Sequence, residues 1–203
     1  TLIFSLDRYQ KVMDAYIEGL EERAAAGLPL TGIASVASFF ISRVDSEVDK
    51  RLEAVGSPEA LGERGKAAVA QGKLAYENFR RTFSGPRWQA LADKGARVQR
   101  PLWASTSTKN PAYPDTLYVD ELIGPDSVNT LPDATVEAFA DHGTVSRRVD
   151  VDIDESHRVW AALPTLGVDI DDVARQLERE GVISFQKSFD ELIAALSEKA
   201  AQF

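Results

Sequence analysis

Two basic side chains stand just beyond apolar stretches that are typical of buried strands. Arg43 follows GIASVASFF (32–40), and Lys109 follows RPLWA (100–104) after a row of hydroxyl-bearing residues that begins at Ser105. Phosphate oxygens accept charge-assisted hydrogen bonds from guanidinium, ammonium and hydroxyl groups. If the two strands are neighbours, the pattern predicts a binding site for a phosphorylated small molecule.

Each of these residues also has a simpler interpretation. Arg43 would be a surface residue early in a helix, paired with Asp45 or Glu47, and the pattern supports this equally well. Lys109 would be a solvated loop lysine, although prolines shortly after it restrict its loop. Ser38, inside the first of the two strands, would be a small core residue.

Other kinds of site have little support. The acidic stretch DVDIDE (150–155) lacks the glycine and the distal glutamate of a calcium-binding loop. His142 and His157 lie in or beside predicted helices, with neither metal-ligand spacing nor the order of a catalytic triad around them. Cysteine is absent, which excludes thiolate metal sites and cysteine nucleophiles. We therefore expect no metal ion.

The elements that would position these residues alternate along the chain. The sequence predicts four buried strands, each followed by a helix, at 1–6, 32–40, 96–105 and 126–132. Asp7 is placed to cap the first helix, and glycines end the helices that follow the first two strands. Strands separated by helices pair in parallel, so their carboxyl ends, where the polar residues lie, meet at one edge of the sheet.

The remaining segments are predicted to be helical. An insert at 57–95 is helical in composition. Three apolar-periodic helices occupy a tail from residue 144 to residue 203: SHRVWAAL, then DIDDVARQLEREG, which ends at Gly181, and then SFDELIAALSEKAAQF. We therefore divide the chain into an αβ unit at 1–143 and a tail at 144–203 that packs on it. The strand ends contain no glycine-rich turn, which weakens the case for a dinucleotide-binding fold. Four βα units are half of an eight-unit barrel or most of a doubly wound sheet.

Composition limits the classes of partner. The chain has 203 residues, a formal net charge of −9 and 44% hydrophobic residues. This charge argues against nucleic acid and against an anionic membrane surface as partners, since both attract basic faces. No apolar run approaches the roughly 18 residues that cross a bilayer, so we expect a cytoplasmic protein. The chain opens on a strand at Thr1 without a methionine, from which we expect sequence upstream of it.

Three quoted stretches carry a family resemblance. TLIFSLDRY, IASVASFFISRVDSEVD and RPLWASTSTKNPAYPDTLYVDELIGPDSVNTLPDATVEAF resemble the later part of transaldolase in its longer, actinobacterial form. The resemblance runs from Thr1 to about His142 and continues less specifically through the tail. It implies a (β/α)8 TIM barrel, of which this chain supplies about strands five to eight.

The resemblance also implies an activity. Transaldolases move a dihydroxyacetone unit between phosphorylated sugars of the pentose phosphate pathway, through a Schiff base on a lysine and without a metal or organic cofactor. That lysine lies on strand four, in a motif similar to IK-I-P-A-T, and the motif is absent from these 203 residues. The N-terminal half of the same protein is therefore the expected partner, and this segment alone is expected to be inactive.

Residue roles follow from the matched positions of the family. The resemblance implies that Thr1 helps to hold the catalytic water, that Ser38 lies against the substrate and that Phe40 forms a wall of the site. It implies that three residues bind the phosphate: Arg43, Ser105 and Lys109.

Alternatives remain at this stage. The chain could be a non-catalytic half-barrel that associates through its open strand edges, or part of another phosphosugar-binding barrel enzyme such as an isomerase. The helical tail is a candidate surface for a homodimer.

Overall fold

A computed structural model describes residues 2–201 of the chain. Helices and strands alternate through the first two-thirds of it, and helices alone form the rest. In chain order the elements are α1 Leu6–Ala25, β1 Ser35–Phe40, α2 Ser42–Val55, α3 Pro58–Gly62, α4 Ala67–Thr82, α5 Pro86–Ala92, β2 Gln99–Ala104, α6 Leu117–Glu121, β3 Val128–Asn129, α7 Asp133–His142, α8 Ile153–Thr165 and α9 Ile170–Ala200.

The strands form a parallel sheet in the order β1-β2-β3. Ser35 pairs with Gln99 and Phe40 with Ala104, so β1 and β2 are aligned over their whole length. Leu102 and Trp103 of β2 pair with the two residues of β3. The predicted parallel pairing of sequential strands is confirmed, and all carboxyl ends lie at one edge of the sheet, called here the carboxyl rim.

The first predicted strand is much shorter than the sequence indicated. Within residues 2–6, the ladder is reduced to a single parallel bridge between Ile3 and Phe39. Helix α1 already begins at Leu6, because the Ser5 side chain accepts a hydrogen bond from the amide of Arg8 at 3.1 Å. Asp7 was therefore wrongly predicted as the cap, since an N-cap serine two residues earlier satisfies the same orphan amides.

Local signals placed other helix ends correctly. Gly56 adopts a φ of 72° directly after α2, the left-handed conformation that glycine reaches without a steric penalty. Pro132 stands at the N-cap position of α7. Its φ is fixed by the ring, which suits the residue before a first helical turn.

One face of the sheet is buried beneath helices. Phe39 and Trp103 lie on this face with ring centroids 6.2 Å apart, and Tyr9 of α1 packs against Phe39 at 5.6 Å. All three side chains are buried, and the indole nitrogen of Trp103 donates a hydrogen bond to the Leu122 carbonyl at 3.1 Å. The core therefore lies between the sheet and its helical layer.

The opposite face of the sheet is less covered. Side chains alternate along a strand, so Val36, Ser38 and Phe40 point away from this core. Val36 is 42% exposed, and Arg100 on the same face of β2 is also exposed. Parallel sheets in proteins usually have both faces covered, so this half-covered sheet is unusual.

The tail differs from the prediction of three helices. Helix α8 packs against α4, and α9 packs against α2 and continues without a break for 31 residues. The break predicted at Gly181 was wrong: a Cβ there would lie 3.3 Å from the Leu2 side chain, so glycine permits close packing instead of ending the helix. The glycine costs about 1 kcal/mol within a helix. No helix in residues 2–201 is long and apolar enough to cross a lipid bilayer.

Candidate functional site

The tips of β1 and β2 are joined at the carboxyl rim. The amide of Ser42 donates to the Ser105 carbonyl at 2.9 Å, and the two hydroxyl oxygens lie 2.8 Å apart. Ser42 is fully buried as the first residue of α2. The sequence analysis included Ser105 in the site but missed Ser42, because only the strand pairing brings residues 63 positions apart into contact.

Ser105 has a strained backbone. Its φ of 57° lies in the left-handed region, which costs a non-glycine residue roughly 1 to 2 kcal/mol. Strain of this kind is concentrated at ligand-binding positions, where the surrounding structure holds the residue in place. The observation therefore favours a binding role for Ser105 over that of an ordinary loop residue.

Arg43 is not paired with either carboxylate that its simpler interpretation required. Asp45 accepts a hydrogen bond from Tyr118 at 2.7 Å, and Glu47 accepts one from Arg51 at 2.8 Å. The guanidinium of Arg43 instead lies over the ring of Phe40, 5.5 Å from its centroid. A cation–π contact leaves the N–H groups free to donate to an anion.

Arg43 lies in the first turn of α2, where the amides of Ser42 and Val44 already donate to the carbonyls of Ser105 and Ile41 at 2.9 Å. The N-cap residue of α2 is Ile41, whose side chain has no oxygen that could accept a hydrogen bond. The N-terminus of this 14-residue helix thus carries partial positive charge without a side-chain cap. The guanidinium and the helix end together form an environment suited to a phosphate.

Ser38 and Phe40 share the less covered face of the sheet. Both are half-buried, and the ring of Phe40 packs against that of Phe4 with centroids 5.0 Å apart. The structure therefore brings Ser38, Phe40 and Arg43 to one side of β1 and its tip. Thr1, which the resemblance assigned to the catalytic water, lies outside the described residues.

Lys109 follows the same rim but its side chain lies in a different place. Its ammonium group donates to the Ser107 hydroxyl at 2.6 Å. It lines a recess of about 220 Å³, which Arg43 does not line. The other lining residues lie on α2, in the loop that follows β2 or in α6: Asp45, Ser46, Asp49, Lys50, Glu53, Asn110, Tyr113 and Tyr118. The structure thus joins Ser105 to Ser42, the residue before Arg43, and places the Lys109 side chain in a recess that Arg43 does not line.

The tip of β3 is joined to the same rim. The buried Thr106 donates to the side-chain oxygen of Asn129 at 2.8 Å and to the Thr130 carbonyl at 3.0 Å. Hydroxyl and amide groups therefore run along the rim from α2 to β3.

Two carboxylates of α2 stand behind the rim. Asp45 is buried, and its oxygens accept hydrogen bonds from the Ala68 amide and the Tyr118 hydroxyl, each at 2.7 Å. Burial raises the pKa of Asp45 to about 6. Burial also raises the pKa of Asp49, one helical turn away.

This shift predicts an unusual pH dependence of stability. The folded chain binds a proton at Asp45 more tightly than the unfolded chain does, so the unfolding free energy from this group falls as pH rises from about 4 to about 6. We expect the difference between wild type and Asp45→Asn to change by about 2 to 3 kcal/mol across that window. Urea unfolding at fixed protein concentration measures it.

Asp172 serves as a contrast because its shift has the opposite sign. The hydrogen bond from Arg51 lowers the pKa of Asp172, so its contribution to stability is lost as pH falls below about 4. An Asp45→Asn difference that stays constant between pH 4 and 6 would contradict the assignment.

The family model and the relatives that match this chain belong to one protein family. A family model described as transaldolase/fructose-6-phosphate aldolase matches residues 1–196. The transaldolase of Frankia alni is 53% identical over 200 residues, which cover 98% of this chain and 54% of that protein. Transaldolase 1 of Streptomyces coelicolor is 55% identical over 198 residues, 97% of this chain and 52% of the relative.

A third relative, the transaldolase of Mycolicibacterium smegmatis, is 53% identical over 196 residues, or 96% of this chain and 53% of its own length. The chain thus spans about half the length of the curated relatives that it matches.

Proposed function

Because this chain belongs to the transaldolase/fructose-6-phosphate aldolase family, we propose that it forms the second half of a transaldolase. The complete enzyme transfers a dihydroxyacetone unit from sedoheptulose 7-phosphate to glyceraldehyde 3-phosphate, which yields erythrose 4-phosphate and fructose 6-phosphate. Identity above 50% along almost the whole chain carries this proposal. We place the enzyme in the cytoplasm, where its phosphosugars occur.

The fold proposed for the complete enzyme is a (β/α)8 barrel, with residues 1–143 supplying about strands five to eight. The bridge at Ile3 followed by β1, β2 and β3 gives four sequential parallel positions, as neighbouring staves of a barrel require. The less covered face of the sheet, with Val36, Ser38 and Phe40, would be the barrel interior. The N-terminal half is proposed to pack against this face and cover it.

The phosphate of the sugar is proposed to bind at the carboxyl rim. Arg43 and Ser105 carry this site, supported by the guanidinium that lies over the Phe40 ring, the α2 N-terminus without a side-chain cap and the strained Ser105 backbone. Lys109 would join them when its side chain leaves the Ser107 hydroxyl. Ser38 and Phe40 would contact the carbon chain of the substrate.

The chemical step needs groups from outside this chain. The family's nucleophilic lysine attacks the ketose carbonyl, and carboxylates of the earlier strands move the protons. Lys73 is a buried lysine of this chain, but it lies on α4 and donates to Glu121 at 2.7 Å and to the Val151 carbonyl at 3.1 Å. Because Lys73 forms an ion pair within the helical layer, it is not positioned to attack a carbonyl at the rim. Thr1 would hold the catalytic water.

The test joins this chain to the missing part. We define the joined enzyme as this chain preceded by the N-terminal half of the Frankia alni relative. The joined enzyme should convert fructose 6-phosphate and erythrose 4-phosphate into sedoheptulose 7-phosphate and glyceraldehyde 3-phosphate, whereas the 203 residues alone should not. Borohydride should trap the ketose on a lysine of the added half.

Three outcomes would overturn the proposal. Covalent labelling of the isolated 203 residues at Lys109 would contradict the lysine assignment. A folded joined enzyme that binds fructose 6-phosphate without transferring dihydroxyacetone would point to another phosphosugar enzyme. A joined polypeptide that folds but neither binds nor reacts would favour the non-catalytic half-barrel.

A surface outside the sheet also lacks cover. The distal half of α9 exposes apolar side chains at helical spacing: Val182, Ile183, Phe185, Phe189, Leu192, Ile193 and Leu196. The N-terminal half or a homodimer contact would cover them. Sedimentation of the joined enzyme distinguishes these, since only a homodimer doubles its mass.

A further inference from the structure

The loop that carries Lys109 is fixed to α2 by two tyrosines. Tyr113 donates its hydroxyl to Asp49 at 2.6 Å, and Tyr118, just beyond the loop in α6, donates to Asp45 at 2.7 Å. Asp45 and Asp49 are one helical turn apart and so project from the same face of α2. The loop following β2 is therefore held at two points, one turn apart, on the helix that begins with Ser42 and Arg43.

Each of these two carboxylates also accepts a hydrogen bond from a backbone amide. The other oxygen of Asp45 accepts from the Ala68 amide at 2.7 Å, and that of Asp49 accepts from the Gly65 amide at 2.9 Å. Gly65 lies in the turn between α3 and α4, and Ala68 lies in the first turn of α4. The two carboxylates thus connect the start of α4 and the turn before it to the loop and to α6, and these four hydrogen bonds all come from neutral donors.

The packing around Tyr113 is tight. A Cβ at Gly65 would lie 2.7 Å from the ring carbon that carries the Tyr113 hydroxyl, and Gly65 has a φ of 73°. Only glycine satisfies both the backbone conformation and the space. The ring of Tyr113 therefore sits against the turn and directs its hydroxyl at Asp49.

The loop itself is also tied internally. Thr108 donates its hydroxyl to the Pro114 carbonyl at 2.8 Å, and the amides of Ala112 and Tyr113 donate to the Asn110 side chain and carbonyl at 3.0 and 3.1 Å. A loop that is internally braced moves as a unit. The two tyrosine contacts tie this unit to α2, in addition to the contacts of Ser105 with Ser42 and of Asp115 with His142 elsewhere along the segment.

We propose that Asp45 and Asp49 are positioning residues that set where the Lys109 loop stands relative to Arg43 and Ser105. The inference rests on the proposed function, because it assigns the loop to the sugar-phosphate site. Neither carboxylate touches the phosphate; each acts through a tyrosine. Their effect should therefore appear in substrate binding and in loop mobility, with little effect on the chemical step.

The experiment combines Tyr113→Phe, Asp49→Asn and the double variant in the joined enzyme. Tyr113→Phe keeps the ring against Gly65 and removes only the hydroxyl. Each single variant should raise the KM for fructose 6-phosphate about three- to tenfold with kcat within about twofold, the scale of the net contribution of one ordinary hydrogen bond. The double variant should raise KM no further than the larger single effect, because both remove the same contact.

A second readout does not depend on activity. In the 203-residue chain, amide hydrogen exchange of residues 107–112 should quicken about tenfold in Tyr113→Phe. Tyr16→Phe is the matched control, since Tyr16 donates its hydroxyl to the Arg97 carbonyl, before the start of β2 and so at the far end of the strand from the rim. It should leave both KM and loop exchange unchanged.

The outcomes separate this inference from the proposed function. An inactive joined enzyme counts against the proposed function, while the exchange result still tests the anchoring of the loop. An active enzyme whose KM is unchanged by Tyr113→Phe, or multiplicative effects in the double variant, would overturn the positioning role. Unchanged exchange in residues 107–112 would overturn the anchoring itself.

Discussion

Replacing Arg43 with alanine in the joined enzyme is expected to raise the KM for fructose 6-phosphate about ten- to one-hundred-fold, or about 1.5 to 3 kcal/mol of binding. Arg43 directly follows Ser42, which joins the tips of β1 and β2, and carboxylates close to Arg43 in sequence are engaged by Tyr118 and Arg51. Its loss would leave the phosphate with the helix end and Ser105. Steady-state kinetics with both phosphosugars measures the change.

Two control variants make this result specific. Arg43→Lys keeps the charge but loses the planar fork, so its KM should fall between those of wild type and Arg43→Ala. Arg81→Ala removes an exposed arginine of α4 whose side chain donates to Asn78, and its KM should equal that of wild type. An Arg43→Ala enzyme with the wild-type KM would remove Arg43 from the phosphate site.

Replacing Trp103 with alanine is expected to lower the unfolding free energy by about 3 to 5 kcal/mol, as deletion of a buried aromatic side chain does. Its indole is 1% exposed, packs edge-on against Phe39 and donates to the Leu122 carbonyl. Truncation would leave a cavity at the centre of the sheet and an unpaired carbonyl. Urea unfolding of the chain at fixed concentration, followed by circular dichroism, measures the loss.

Trp103→Phe separates the contribution of ring packing from that of the N–H hydrogen bond. Phenylalanine retains most of the ring packing but removes the N–H donor, so we expect a smaller cost of about 1 to 2 kcal/mol. A cost below about 1 kcal/mol for Trp103→Ala would mean that the sheet is not packed around this residue as described.

Much of the fold was readable from local signals. Apolar runs of strand length gave the positions of β1 and β2, and Gly56 and Pro132 marked helix boundaries, because these residues act through their own backbone geometry. The same local reasoning failed at Gly181. Whether a glycine ends a helix or lets it pack closely depends on what lies against it, here the side chain of Leu2.

The candidate site, like the fold, was predictable from the sequence only in part. The sequence by itself determined which residue types follow the strands, and so that Arg43, Ser105 and Lys109 are candidates for binding an anion. Only the tertiary structure decided that Ser42 meets Ser105, that Arg43 rests on Phe40, and that Lys109 shares a recess with the carboxylates of α2. It also paired Asp45 with Tyr118, 73 positions away. The residue at which a strand ends is determined by its neighbours in the chain. Contacts between side chains of different elements are determined by how those elements pack together, and their distance apart in the sequence does not indicate that packing.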